Sequence, residues 1–129
     1  MTDTQSPPLF LTLADDSWQR AYHAFVLAAG ALALEREVVL FAGGKSVLAL
    51  TRTADRLQDQ PAEEEMRRKA LPTLLELRTA CLDLGMRLLA CESGMRLAGL
   101  SPGDLCESVE VGGVVEFLVL AGTRPITAL

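Results

Sequence analysis

The chain has 129 residues and a mass of 13.9 kDa, half of its residues are apolar and it carries three cysteines without a C-x-x-C pair, which suffices for one domain with a sizeable core and needs no disulfide or metal staple. A net charge of −5 and a pI near 4.8 exclude the basic face on which nucleic-acid binding relies. The longest apolar stretch, Ala24 to Leu34, has 11 residues against the roughly 20 that a membrane span needs, and no apolar run follows the start, so the expectation is a cytoplasmic protein without a membrane span or secretory signal.

Residues 1–8, MTDTQSPP, read as a loose tail ending in Pro-Pro. Leu9 to Ala14 is a short apolar run, the first predicted strand. Asp16 with Gln19 resembles a capping box, and behind it Trp18, Tyr22, Phe25, Ala29 and Leu32 recur at helical spacing, predicting an amphipathic helix to about Leu34. Glu37 to Ala42 is β-branched and apolar and reads as a buried strand. Gly43 and Gly44 break it, and Lys45 to Leu50 reads as a short helix.

A charged insertion follows at about 52–70, where Glu63, Glu64 and Glu65 stand four residues before Arg67, Arg68 and Lys69. That order supports a solvated helix and not a binding patch. Pro72, a stripe of Leu74, Leu77, Cys81 and Leu84, and the stop at Gly85 predict another helix. A strand over Met86 to Cys91 passes directly into a helix to about Ala98. Ser101, Pro102 and Asp104 open a one- or two-turn helix containing Cys106. Ser108 to Val111 is a short strand, Gly113 to Ala121 a helix apolar almost all round, and Arg124 to Leu129 a last strand.

This alternation predicts a single three-layer α/β/α domain over 9–129, with a mostly parallel five-stranded sheet, flavodoxin- or Rossmann-like, and helices on both faces. Right-handed crossovers would gather every strand's carboxyl end on one rim. Cys91, Gly43-Gly44 and Gly112-Gly113 all follow strands and fall there. A thiol at a strand end beside the unpaired amides of a helix start is favoured as thiolate, the nucleophilic form. Cys91 is therefore the candidate reactive atom, and Gly43, Gly44, Lys45, Ser93, Gly112 and Gly113 form a candidate rim for an anion or ligand. Glu92 beside the thiol acts against thiolate formation, and sequence does not decide which influence wins.

The segment from Leu74 to Ala121 resembles the DsrE/DsrF-like superfamily, small α/β proteins that include sulfur-relay subunits of the TusD type. The marks are Ala90, Cys91, Met95 and Gly99 in an A-C-x-x-x-M-x-x-x-G arrangement, then V-x-V-G-G at Val109 to Gly113; the opening strand, Ala-rich helix and EVVLFA strand resemble the family more loosely. The resemblance implies a DsrE-like parallel-sheet fold, a cytoplasmic location, no cofactor and homo-oligomers, trimers or hexamers among the options. In some members a cysteine receives sulfane sulfur as a persulfide, and by correspondence that residue is Cys91. A sulfur-relay role, as a persulfide carrier or sulfurtransferase subunit, would need sulfur-donor and sulfur-acceptor proteins as partners. The alternative is a non-enzymatic oligomeric binding or assembly module that holds a small anion or nucleotide at the rim, with Cys91 a packed small apolar residue.

Cys81 lies on an apolar stripe and reads as core, and Cys106 as packing or else a resolving thiol for Cys91. Gly44-Lys45-Ser46 has the form of the end of a phosphate-binding loop. Val39 stands where the Walker pattern needs its first glycine, so a nucleotide-hydrolysing loop is rejected. His23, the single histidine, has no cysteine or carboxylate at ligand spacing and reads as structural or solvent-facing. No metal site is expected.

Overall fold

The computed structural model describes residues 6–129. The expected tail over 1–8 therefore lies largely outside the described residues; of the part within them, Pro7 accepts a hydrogen bond from Arg36 Nε at 2.7 Å.

Five strands form one all-parallel sheet: β1 (Leu9–Leu13), β2 (Val38–Ala42), β3 (Arg87–Cys91), β4 (Val109–Gly112) and β5 (Ile126–Ala128), in the spatial order β4-β3-β2-β1-β5. The central strand β2 is buried along its whole length, which is why its sequence is a continuous apolar run and not an alternation. Residues pairing in register, such as Leu11 with Leu40 and Leu40 with Leu88, carry like side chains to one face.

One face carries most of the core. Leu11, Leu13, Val38, Leu40, Leu88 and Ala90 pack there against helices α1 (Trp18–Ala33) and α3 (Leu74–Asp83), the 3-10 segment Gly44–Leu50, and Met95 of helix α4 (Glu92–Ala98). The other face is a smaller cluster in which Phe10, Val39, Phe41 and Leu89 meet Phe117 and Ala121 of helix α5 (Val114–Ala121). Phe117 stacks on Phe41 with ring centroids 5.4 Å apart and meets Phe10 edge-on at 5.9 Å, and the Arg124 guanidinium lies 5.0 Å from the centre of the Phe10 ring.

Several local expectations change. The cap of α1 is Ser17, whose hydroxyl accepts from Arg20 N at 3.2 Å, not Asp16. The buried stripe of α1 is Ala21, Ala24, Phe25, Ala28 and Ala31, rotated from the stripe of large side chains, because alanines let the helix sit close to the sheet. Trp18 and Tyr22 instead stack on each other at 4.7 Å, and the Tyr22 hydroxyl donates to Pro72 O at 2.9 Å.

In the charged insertion only α2 (Glu63–Arg68) is helical. The acids and bases make the expected i,i+4 pairs, Glu63 with Arg67 and Glu65 with Lys69, both at 3.0 Å. Yet Ala54, Leu57 and Met66 are buried and Gln58 pairs with Ser17, so the segment is fastened to the domain by apolar side chains set among the charges.

Helix α3 starts at a Thr73–Glu76 capping box, one residue after Pro72. It buries Leu74, Arg78 and Cys81, while Leu84 lies beyond its end and is exposed. Arg78 is only 3 % exposed and has no carboxylate partner among the described residues. Its Nη1 donates to Ala49 O and Thr51 O at 2.8 and 2.7 Å and its Nη2 to Arg52 O at 3.3 Å, which satisfies the carbonyls that end the 3-10 segment.

Candidate functional site

Because all five strands are parallel, their carboxyl ends share one rim. At its centre β2 passes into the Gly43-Gly44 turn and β3 passes at Cys91 directly into α4, with Cys91 itself in the cap position. Gly43 N donates to Leu13 O at 2.9 Å, tying the turn to the end of β1. Gly44 has φ +52°, the left-handed region, and a Cβ there would strike the Ala14 carbonyl. Only glycine fits this corner.

The turn and the start of α4 enclose Cys91. Its sulfur shares a hydrogen bond with the Ser93 hydroxyl at 3.2 Å. Burial acts to raise the thiol pKa, but the Ser93 hydroxyl and the backbone N–H groups of Gly94, Ser93 and Gly44 outweigh it, so the thiol titrates below its ordinary value. No charged side chain is among these influences. The Glu92 carboxylate points to Arg96 Nη2 at 3.3 Å and is not among the influences on the thiol.

The other thiols differ. Cys81 is fully buried and pushed up to about 11 by desolvation, as its place on the core stripe predicts. Burial also raises Cys106, against the opposing pull of the Arg78 guanidinium. Cys106 is not helical, since the 3-10 turn Pro102–Asp104 ends before it; its N–H is taken by Leu50 O at 2.9 Å because Thr51 and Leu105 form a bridge there. It precedes the amino end of β4, whereas Cys91 closes β3 at the carboxyl rim, so the two sit toward opposite rims of the sheet and a resolving role for Cys106 has no support in this geometry.

Of the candidate rim residues, Ser93 reaches the sulfur, the Gly44 N–H is one of the groups that lower the thiol, and Gly43 supplies the turn. Gly112 is the register partner of Cys91 on β4, and a Cβ on it would run into the Glu116 carboxylate. Gly113 caps α5 through its backbone. Lys45 is an exposed side chain on the turn, with no ion pair among the described residues. His23 is exposed on α1.

Two residues escaped the sequence reading. Gly94 is buried with its backbone against Gly44, where any Cβ would collide with the Gly44 carbonyl. Ser46 is buried with its hydroxyl on Gly43 O. A glycine inside the first turn of a helix was the available signal for the first, since glycine there is unfavourable unless something approaches closely. The second was visible only as part of the rejected phosphate-loop string.

No helix among the described residues is long and apolar enough to cross a membrane. A comparison with curated proteins finds no match. Among solved structures the chain is similar to the protein of unknown function MTH1491 from Methanobacterium thermoautotrophicum, at 17% identity and a TM-score of 0.66 with 96% of this chain and 98% of that one covered. It is likewise similar to the ychN protein from E. coli, at 16% identity and a TM-score of 0.64 with 95% and 99% covered; these likenesses speak to the fold. The family model described as DsrE/DsrF/DrsH-like matches residues 42–126, which span the Gly43-Gly44 turn, Cys91 and α5, and the chain belongs to that family.

Proposed function

We propose that this protein is a sulfur carrier in which Cys91 accepts sulfane sulfur as a persulfide and passes it to a partner thiol. The observation that supports this most is the contrast among its thiols: Cys91 alone is both accessible and held below its ordinary pKa, by the Ser93 hydroxyl and backbone N–H groups. The Cys91 thiolate attacks the outer sulfur of a donor persulfide, a bond forms between the two sulfurs, and the donor's inner sulfur leaves with the electron pair as a thiolate. Transfer onward is the same exchange with Cys91 as leaving thiolate, so no external oxidant or reductant is consumed. A low leaving-group pKa favours that second step.

The reading includes a reducing, cytoplasmic setting, which suits three unpaired thiols, and self-assembly. Helix α5 exposes Val114, Val115, Leu118 and Val119, and its inner side packs in the cluster that Cys91 borders. A second copy on that surface would shelter the persulfide from water.

Incubation with an organic persulfide tests the central claim. Intact mass and peptide mapping should show one added sulfur atom on Cys91, removable by reductant, and none on Cys91→Ser. Absence of the adduct with several donors would leave a binding or assembly module in its place.

A further inference from the structure

We propose that Ser46 is a positioning residue for Cys91: it fixes the plane of the Gly43–Gly44 peptide so that the N–H of Gly44 faces the sulfur. The inference rests on the sulfur-carrier reading of Cys91 and names the residue that keeps its surroundings in order.

Ser46 is 1 % exposed and starts the buried run Ser46 to Leu50. Its hydroxyl donates to Gly43 O at 2.6 Å and its own backbone N–H donates to the same oxygen at 3.1 Å. The Gly43 carbonyl and the Gly44 N–H belong to one trans peptide, in which they point in opposite directions. Two donors holding the carbonyl on the Ser46 side therefore send the N–H the other way; the Gly44 backbone lies against Gly94, in the first turn of the helix that Cys91 caps, and its N–H is one of the donors that lower the Cys91 thiol.

This anchor has work to do because the peptide lies between two glycines, the residues with the fewest backbone restrictions. Rotation of that peptide would replace an N–H by a carbonyl oxygen beside the sulfur, turning attraction for a thiolate into repulsion. The buried hydroxyl opposes the rotation, since turning the carbonyl away would leave it without a partner. Charged groups do not duplicate its effect: Glu92 is paired with Arg96, Lys45 is exposed, and neither is among the groups that act on the thiol.

The test is the pH profile of alkylation at Cys91, read by peptide mapping after timed exposure to iodoacetamide. Ser46→Ala should shift the profile to higher pH and slow labelling at pH 7 by roughly three- to tenfold, while Ser46→Thr, which keeps a hydroxyl, retains the wild-type profile. Thr51→Val serves as the control, because it removes another buried hydroxyl, bonded to Leu48 O at 2.9 Å, from the far end of the same segment. Its profile should stay where the wild type has it. A folded Ser46→Ala with the wild-type profile, or equal shifts in Ser46→Ala and Thr51→Val, would overturn the assignment. Should Ser46→Ala not fold, a folded Ser46→Thr with an ordinary thiol profile would overturn it as well. If wild-type Cys91 itself titrates as an ordinary thiol, the carrier reading fails and not merely the role of Ser46.

Discussion

The backbone of Gly94 lies directly on that of Gly44: a Cβ on Gly94 would strike the Gly44 carbonyl, with the Gly44 nitrogen 2.9 Å and the carbonyl carbon 3.1 Å away. Neither side of this contact is a flexible side-chain tip, so the strand end that carries the thiol and the turn that supplies one of its donors are fitted backbone to backbone.

Gly94→Ala should therefore damage stability and chemistry together. The added methyl has no soft neighbour to displace, and overpacking of this kind costs about 1–3 kcal/mol. Chemical denaturation should show the loss, and Cys91 should alkylate several-fold more slowly at neutral pH as Gly44 is pushed away. Unchanged labelling in a destabilised but folded variant would mean that Gly44 contributes nothing to the thiol.

Cys81 and Cys106 also set an alkaline limit on the fold. Burial raises Cys81 to about 11 and raises Cys106 as well, so both thiols stay protonated in the folded state at pH values where the unfolded chain already ionises. Their contribution is fully present below the unfolded thiol value and is lost as pH rises toward the folded one. Unfolding free energies from urea titrations between pH 7 and pH 10.5 should fall, by on the order of 2 kcal/mol at the upper end. Cys81→Ala should flatten that fall, and an equally steep fall in the variant would place the alkaline weakness elsewhere.

Arg78 tests a different support. Arg78→Met removes a buried guanidinium and leaves the carbonyls of Ala49, Thr51 and Arg52 without their donor, a loss of about 2–4 kcal/mol in urea unfolding. Arg78→Lys should recover only part of it, because an ammonium cannot reproduce the planar fork that reaches three carbonyls. Full recovery by lysine would show that charge alone matters there.

What the sequence made legible was whatever depends on patterns within one element. The run Glu37 to Ala42 announced a buried strand, and the strand-to-helix passage at Cys91 announced a thiol on the rim. Contacts between elements were less readable. Hydrophobic periodicity favours large side chains, so it selected Trp18 and Leu32 over the alanines Ala21, Ala24, Ala28 and Ala31 that lie against the sheet. The role of Gly94 was not legible because its partner, Gly44, stands fifty positions earlier. Arg78 drew no reading from the sequence, since carbonyls belonging to another segment leave no mark in the residues around it.

The final helix has a packed inner side and an exposed apolar outer side. Phe117 and Ala121 account for its buried side, yet Val115 and Val119 are 70% and 75% exposed, with Val114 and Leu118 beside them. A helix that needed only to cover the sheet would carry polar residues at those positions, and an apolar patch of this kind marks a protein contact or an aggregation hazard. Occupation by a second copy predicts that light scattering at tens of micromolar reports a defined oligomer for the wild type. Val115→Glu combined with Val119→Glu should return a folded monomer, because a charge placed in a contact between copies is left desolvated and unpaired, while on a free surface it is solvated. If the oligomer shelters Cys91, the monomer's persulfide should also decay faster in water than that of the wild type. A wild type that is monomeric across the concentration range would leave the outer side of α5 without a role in self-assembly.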